Sequence, residues 1–212
     1  MFLYTYGGAL LRENQEYRRR WRKFFTFTFI VGLIVAIFSV VSDNSPYLKD
    51  GITVFEFIIS YLAVMINSLP MWFILAMLVG YIFARSLKES ALFGTIYTIS
   101  AITFYFVIGH FYTDAAVSLS FKEQALVYIK WYGASAIGGI SGGIVGFLMK
   151  KTPYVQLTLI LGLFLQLFVN GTRSWRDIVG IAQNVTFCLM IVSIVIHLTI
   201  VRRKERKEYL RM

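Results

Sequence analysis

Residues 131–149 read WYGASAIGGISGGIVGFLM, a run without a charged residue that lies between Lys130 and the pair Lys150–Lys151. At about 1.5 Å per residue, a helix of this length crosses the hydrocarbon core of a bilayer, which is about 30 Å thick. The stretch therefore predicts a transmembrane helix with a cation at each end.

Small residues occupy two neighbouring rows of this helix. Residues four apart share a helix face, so the rows predict a smooth strip along which another helix can approach closely. In lipid, such close packing replaces the hydrophobic effect that holds soluble helices together. The strip is either buried at the centre of the chain's own bundle or docks a partner subunit or a second copy. The rows consist of Ala134, Gly138, Gly142 and Gly146, and of Ser135, Gly139 and Gly143.

The rest of the chain has the same apolar character. Of the 212 residues, 58% are hydrophobic and 15% are charged, and the mean hydropathy is +0.67. Soluble domains carry about 25% charged residues, so this composition excludes a water-soluble globule, and it excludes disorder more firmly. No Ser-, Pro- or Gly-rich linker divides the chain. We therefore predict a single all-α domain over 1–212, a polytopic transmembrane helical bundle.

Six apolar runs follow one another, and the basic residues lie at their ends. The net charge is +10. If the runs alternate in direction, most Lys and Arg residues lie on one side, which the positive-inside rule assigns to the cytoplasm. We predict both termini inside, with a basic N-terminal segment 1–23, a six-span bundle 24–201 and a basic tail 202–212. The predicted spans are 24–42, 69–86, 91–112, 125–149, 154–170 and 178–201.

The basic ends also predict a lipid contact. Cations near the cytoplasmic surface are attracted to the anionic lipids of the inner leaflet. Residues 1–11 are apolar but too short to cross. Together with the arginines that follow, they either lie along the inner headgroup layer or form a disordered tail.

Residues 52–68 are apolar as well and directly precede the second predicted span. Two full crossings in this region would invert everything downstream. They would place Arg85 and Lys150 outside, against the positive-inside rule. We therefore predict one crossing here.

Two arrangements satisfy that single crossing. Either 52–86 is one tilted helix that is kinked near Pro70, or 52–66 is an outer interfacial or re-entrant helix that turns at Asn67–Ser68 into the span. An Asn or Ser before a proline in the first turn is typical of a helix start. Glu56 is also more stable near headgroups than in mid-bilayer. We favour the second arrangement.

Polar side chains concentrate in the outer halves of the predicted spans. Each has a structural explanation, since a Lys can snorkel outward, aromatic residues form interfacial belts and amides bridge helices. Together, polar groups from several spans at one depth suggest a shallow cavity open to the outside, because buried polar groups in lipid are costly and mark ligand or ion paths. The predicted ligand pocket consists of Asn67, Tyr105, His110, Lys130, Gln166, Gln183 and Asn184.

The sequence lacks the residue patterns of an enzyme. Cys188 has no His or acid at helical spacing to activate it, and no paired carboxylates occur in the spans. One Cys and two His argue against a disulfide framework or a metal centre. We expect no catalytic residue, no metal and no cofactor.

The stretch NSLPMW at 67–72, with Gly80, Ala84–Arg85, Gly94, Tyr105 and the glycine-rich fourth span, resembles an uncharacterised group of small bacterial six-span membrane proteins. This resemblance implies a fold in a bacterial cytoplasmic membrane and no particular activity. In architecture, six spans with both ends inside are also similar to the substrate-binding subunits of energy-coupling-factor transporters, although fold alone does not imply function.

Two functions agree with these features. The first is a non-enzymatic membrane subunit or scaffold that acts through helix–helix contacts, with a homodimer or a partner membrane subunit as the assembly. The alternative is a small-solute binding or translocation subunit that uses the predicted pocket. Nucleic acid is not an expected partner, because the cations lie at the ends of apolar runs rather than on a solvated face.

Overall fold

The computed structural model describes residues 2–44, 53–112 and 121–209, with side chains for 14–44, 53–112 and 121–208. These residues form helices and no strand, which confirms the all-α class. Two short 3₁₀ turns, Pro153–Gln156 and Arg173–Trp175, precede the last two α-helices. The α-helices are α1 (Phe2–Asn44), α2 (Val54–Ile66), α3 (Leu69–Phe83), α4 (Leu87–Tyr112), α5 (Phe121–Met149), α6 (Leu157–Asn170) and α7 (Ile178–Tyr209).

The described residues contain five helices that are long and apolar enough to cross a membrane, and α2 with α3 adds a sixth when the pair is counted as one span. The multi-pass bundle predicted from the sequence is therefore confirmed. Apart from the two ends of the chain, the helix bounds lie within about four residues of the predicted spans. At those ends α1 and α7 continue as helices into the basic segments, beyond the predicted limits at 24 and 201.

The pair α2 and α3 is broken between Ile66 and Leu69, and the two helices are bent by 64°. The Ser68 hydroxyl accepts a hydrogen bond from the Met71 amide at 3.4 Å, and Pro70 lies in the first turn. The helix start predicted at Asn67–Ser68 is therefore present. With 15 residues, α3 is roughly 22 Å long, which is too short to cross a bilayer alone if it stands upright.

A capping box starts α2. The Glu56 carboxylate accepts hydrogen bonds from the Thr53 amide at 2.8 Å and from the Thr53 hydroxyl at 2.7 Å, and the Glu56 amide donates back to that hydroxyl. This arrangement satisfies free N–H groups at the helix start. Glu56 is exposed, so its charge is not buried in the bundle.

Contacts between distant residues show that the basic ends lie together. Arg20, near the start of the apolar part of α1, contacts the last residue of α3 and the first turn of α4. Lys150, after α5, contacts Ala84, directly after α3. Gln156, before α6, contacts His197 in the last part of α7. The chain therefore alternates in direction, and both basic ends belong to one side of the bundle.

The core lies where α5 packs between α3 and α4. Glycine faces glycine across both contacts. A Cβ on Gly80 would collide with the backbone of Gly143, and one on Gly94 would collide with the carbonyl oxygen of Gly139. Helix backbones that approach this closely form many dispersion contacts.

Aromatic side chains attach α1 to this core. The Phe24 ring is fully buried and packs on Phe93 with ring centroids 4.5 Å apart. It also packs on Phe83 at 5.6 Å, and Phe27 contacts Tyr97. Such pairs contribute about 0.5–1.5 kcal/mol beyond their buried area.

The predicted packing face of α5 is used in part. Gly142 and Gly146 contact α3, Gly139 contacts α4, and Gly143 lies against both helices. A Cβ on Gly138 would meet nothing within 4 Å, and Ala134 is exposed. The internal packing face is therefore shorter than the sequence predicts, because α3 contacts the first row only at Gly142 and Gly146.

Candidate functional site

Asp43, at the end of α1, joins two of the predicted pocket residues. Its carboxylate accepts a hydrogen bond from the Asn67 side-chain amide at 2.8 Å and one from the Tyr105 hydroxyl at 2.6 Å. The Asp43 carboxylate links the ends of α1 and α2 to the C-terminal part of α4. Asp43 is absent from the sequence-based pocket, although an acid at the outer end of the first span is a detectable signal.

Five further polar side chains, four carboxamides and one serine hydroxyl, meet where α6 ends and α7 begins. The Asn170 amide donates to the side-chain oxygens of Asn184 at 2.9 Å and Gln183 at 3.2 Å, and the Gln166 amide donates to Asn170 at 2.7 Å. Asn184 is 0% exposed and donates to the Ser174 hydroxyl at 2.8 Å. We refer to Gln166, Asn170, Ser174, Gln183 and Asn184 as the carboxamide cluster.

The carboxamide cluster also contacts the break between α2 and α3. The Gln183 amide donates to the Val64 carbonyl at 3.1 Å, and the Ser68 hydroxyl donates to the Met65 carbonyl at 2.6 Å. A broken helix in a membrane leaves carbonyl groups that no water in the hydrocarbon can satisfy. Gln183 therefore stabilises the break from the neighbouring helix.

His110 and Lys130 lie apart from this cluster. His110 lines an open groove of about 510 Å³ between α4 and α5, together with Phe106, Tyr128 and Tyr132. Lys130 is exposed and does not line the groove. The carboxylate–tyrosine contact, the carboxamide cluster and the groove are thus three separate places. The predicted residues do not line one cavity, because a shared depth does not place helices side by side.

At the basic end of the bundle, cations cap α3. Arg20 forms a two-pronged contact with Glu89, at 2.8 and 3.0 Å, and also donates to the Phe83 carbonyl at 3.3 Å. The Lys150 ammonium donates to the Ala84 carbonyl at 2.7 Å. The last carbonyls of a helix carry partial negative charge and attract cations. We refer to this arrangement as the basic-end cap.

The basic-end cap lowers the pKa of Lys150. Much of the Lys150 side chain is exposed, but desolvation of its ammonium group lowers the pKa. The Arg20 charge acts in the same direction, and Glu89 opposes it. The positive-inside rule predicts that Arg20 and Lys150 lie at the same end of the bundle. It does not predict that Arg20 pairs with Glu89, because that pairing depends on how α1 packs on α4.

The carboxamide cluster is chemically a set of neutral donors and acceptors. Its amides and hydroxyl can hold a hydrogen-bonding group but supply no acid or base for proton transfer. The Gln166 Oε1 atom is buried and has no hydrogen-bond partner among the described residues. One acceptor of the cluster thus remains open.

Comparisons of the chain with protein-family models, with curated proteins and with solved structures gave no match. The resemblance to small bacterial six-span proteins and the similarity to energy-coupling-factor subunits therefore stay predictions.

Proposed function

We propose that the protein is a non-enzymatic multi-pass subunit of the bacterial cytoplasmic membrane that acts through contacts between helices. The observation that carries this proposal is the unused part of the small-residue rows on α5. Gly138 has open space where a Cβ would stand, and Ala134 and the following Ile137 are exposed.

The glycine among the unused small residues, Gly138, has a cost in helix stability that the bundle itself does not offset. A glycine inside a helix is about 1 kcal/mol less favourable than alanine. Gly138 gains no close contact within the described chain. A partner helix would gain that contact, since small residues four apart allow backbones to approach closely in lipid. The assembly is a homodimer or a complex with another membrane subunit.

Substitution of this surface tests the proposal without disturbing the core. We expect Gly138→Leu and Ala134→Leu to leave the melting temperature unchanged but to reduce the yield of the co-purified partner or second copy at least tenfold. Gly162→Leu is the matched control, because Gly162 on α6 also has nothing within 4 Å of its Cβ position. An unchanged yield in the α5 variants contradicts the proposal.

The proposed orientation places the basic end in the cytoplasm. Arg20, Arg85 and Lys150 belong to one end of the bundle, and basic residues stay on the cytoplasmic side of bacterial spans. Two reporter enzymes are fused to the C-terminus in turn, one that is active only in the cytoplasm and one that is active only in the periplasm. We expect activity from the cytoplasmic reporter alone. Activity of the periplasmic reporter contradicts the orientation.

A second candidate function is the binding of a small solute from the outer side. The supporting observation is that the carboxamide cluster, with the open acceptor Gln166, lies against the break of α2 and α3. Discontinuous helices that meet buried polar groups are typical of substrate sites in transporters.

Thermal unfolding of the detergent-solubilised protein in a broad panel of metabolites tests this second candidate. We expect one solute class to raise the melting temperature and Gln166→Leu to remove the shift. Lys130→Ala is the control and is expected to keep the shift, since Lys130 is exposed and makes no contact with the cluster. If no solute shifts the melting temperature, only the first proposal remains.

A further inference from the structure

One exposed face of α1, over residues 18–29, changes from apolar to basic toward the N-terminus. Phe25 and Phe29 are large, exposed side chains on α1. Going toward the N-terminus, the same face carries Arg22 and Arg18, since 18, 22, 25 and 29 follow helical spacing. Both arginines are exposed.

The last helix repeats this pattern at the same end of the bundle. Ile196 and Ile200 are exposed on α7, and the next two positions of their face are Arg203 and Lys207, which are exposed too. We refer to Arg18 with Arg22, and to Arg203 with Lys207, as the two basic stripes.

The basic stripes differ from the neighbouring Arg20. Its guanidinium points into the bundle and is bound by Glu89. The stripe residues have no ion pair with any carboxylate whose side chain the structure describes. Their charges are therefore available to a group outside the protein.

We infer that the two basic stripes bind the phosphate-bearing headgroups of anionic phospholipids. The apolar parts of the same faces border lipid chains, so a lipid that lies along them brings its headgroup to the point where the face becomes basic. Arg22 lies about 5 Å along the helix from Phe25, and Arg18 about 10 Å. The headgroup layer extends about 5–8 Å beyond the hydrocarbon on each side, and long cationic side chains can reach back to it.

The chemistry of the stripes favours phosphate. Guanidinium groups bind phosphate oxygens through two parallel hydrogen bonds. A zwitterionic headgroup carries its own cation next to the phosphate, whereas an anionic headgroup does not. The stripes therefore select phosphatidylglycerol over phosphatidylcholine. This inference is independent of the proposed function, since it holds for a scaffold and for a solute-binding subunit alike.

Lipid retention by the full-length protein tests the inference. The protein is reconstituted in vesicles of phosphatidylglycerol and phosphatidylcholine at 1:3, re-extracted in mild detergent and separated by gel filtration, and the retained headgroups are quantified. We expect the wild type to retain phosphatidylglycerol above the vesicle proportion. We then remove the four stripe cations together. We expect the excess of retained phosphatidylglycerol over its vesicle proportion to fall by about fivefold or more, because each exposed cation adds to the attraction toward an anionic surface. The substitutions are Arg18→Gln, Arg22→Gln, Arg203→Gln and Lys207→Gln.

The matched control removes the same number of cations at the opposite end of the bundle, in exposed positions: Lys122→Gln, Lys130→Gln, Arg173→Gln and Arg176→Gln. This variant is expected to keep the enrichment, and 50 mM inorganic phosphate is not expected to displace the lipid, since the apolar chain contributes to binding. Equal retention by the wild type and the stripe variant overturns the inference. So does an equal loss in the control, or displacement by free phosphate.

Discussion

Two parts of the bundle are held together by different forces. In the glycine-packed half, α1, α3, α4 and α5, backbones meet through Gly80, Gly94 and the glycines of α5. In the amide-bridged half, α2, α6 and α7, the helices meet through the carboxamide cluster and a small apolar group of Met65, Leu163 and Phe187. In the first half, the backbone contacts leave no room for a side chain at Gly80, Gly94 or Gly143. The second half depends on polar groups that lipid cannot replace.

The difference shows how a membrane bundle replaces the hydrophobic effect, which does not act between helices in lipid. Close packing through small residues gives many weak dispersion contacts. Amide hydrogen bonds instead satisfy specific groups, such as the Val64 carbonyl at the helix break. An added side chain should therefore destabilise the glycine-packed half most, and the loss of a polar group should destabilise the amide-bridged half.

Gly143→Leu is expected to have the largest effect. A Cβ at Gly143 would collide with the backbone of Ser90 on α4, and a backbone cannot move aside as a flexible side chain can. We expect a loss of at least about 3 kcal/mol in unfolding free energy, the upper end of typical overpacking costs. Thermal unfolding in detergent and gel filtration measure this, and a monodisperse variant with wild-type melting temperature would show that the glycine contact is not essential.

Arg20→Gln is expected to weaken the basic end of the glycine-packed half. The side chains of Arg20 and Glu89 are only 13% and 28% exposed, so removal of one partner leaves a charge with poor solvation. We expect a loss of about 3 kcal/mol, the lower end for broken buried pairs. Arg85→Gln is the control, because Arg85 and Glu16 are 57% and 70% exposed and such pairs contribute about 0–1 kcal/mol. Similar melting temperatures for the two variants would contradict the distinction.

Gln183→Leu removes a polar group from the amide-bridged half without a large change in volume. The Val64 carbonyl loses its side-chain donor and Asn170 loses one acceptor. We expect a loss of about 1–2 kcal/mol, the range that model peptides give for hydrogen bonds between membrane helices. Hydrogen exchange should increase at 61–70 and stay unchanged in α5. An equal increase in α5 would mean that the two halves unfold together.

Gly162→Leu is expected to have the smallest effect and the opposite sign. Gly162 lies on α6 with open space at its Cβ position, and leucine is a better helix former than glycine by about 0.5–1 kcal/mol. The melting temperature should stay the same or rise slightly. A fall comparable to that of Gly143→Leu would show that α6 is packed as tightly as α5.

Much of this fold could be predicted from the sequence, because long apolar runs and the charges between them directly reflect the thickness and sidedness of a membrane. The helix start at Ser68 was also predictable from local capping chemistry. The candidate pocket was less predictable. Gln183 and Asn184 lie with Gln166 as expected, but His110 and Lys130 do not.

The sequence by itself determined that the chain is an all-helical membrane bundle, which residues lie near each end of a span, and that the basic segments share one side. Only the tertiary structure decided which helices are neighbours, and with it the pairing of Arg20 with Glu89 and the division of the α5 glycines between packed and open positions. The physical reason is that hydropathy and charge report depth along the membrane normal. The lateral arrangement depends on side-chain shape and on hydrogen bonds between residues far apart in the chain, for which a single sequence carries no direct signal.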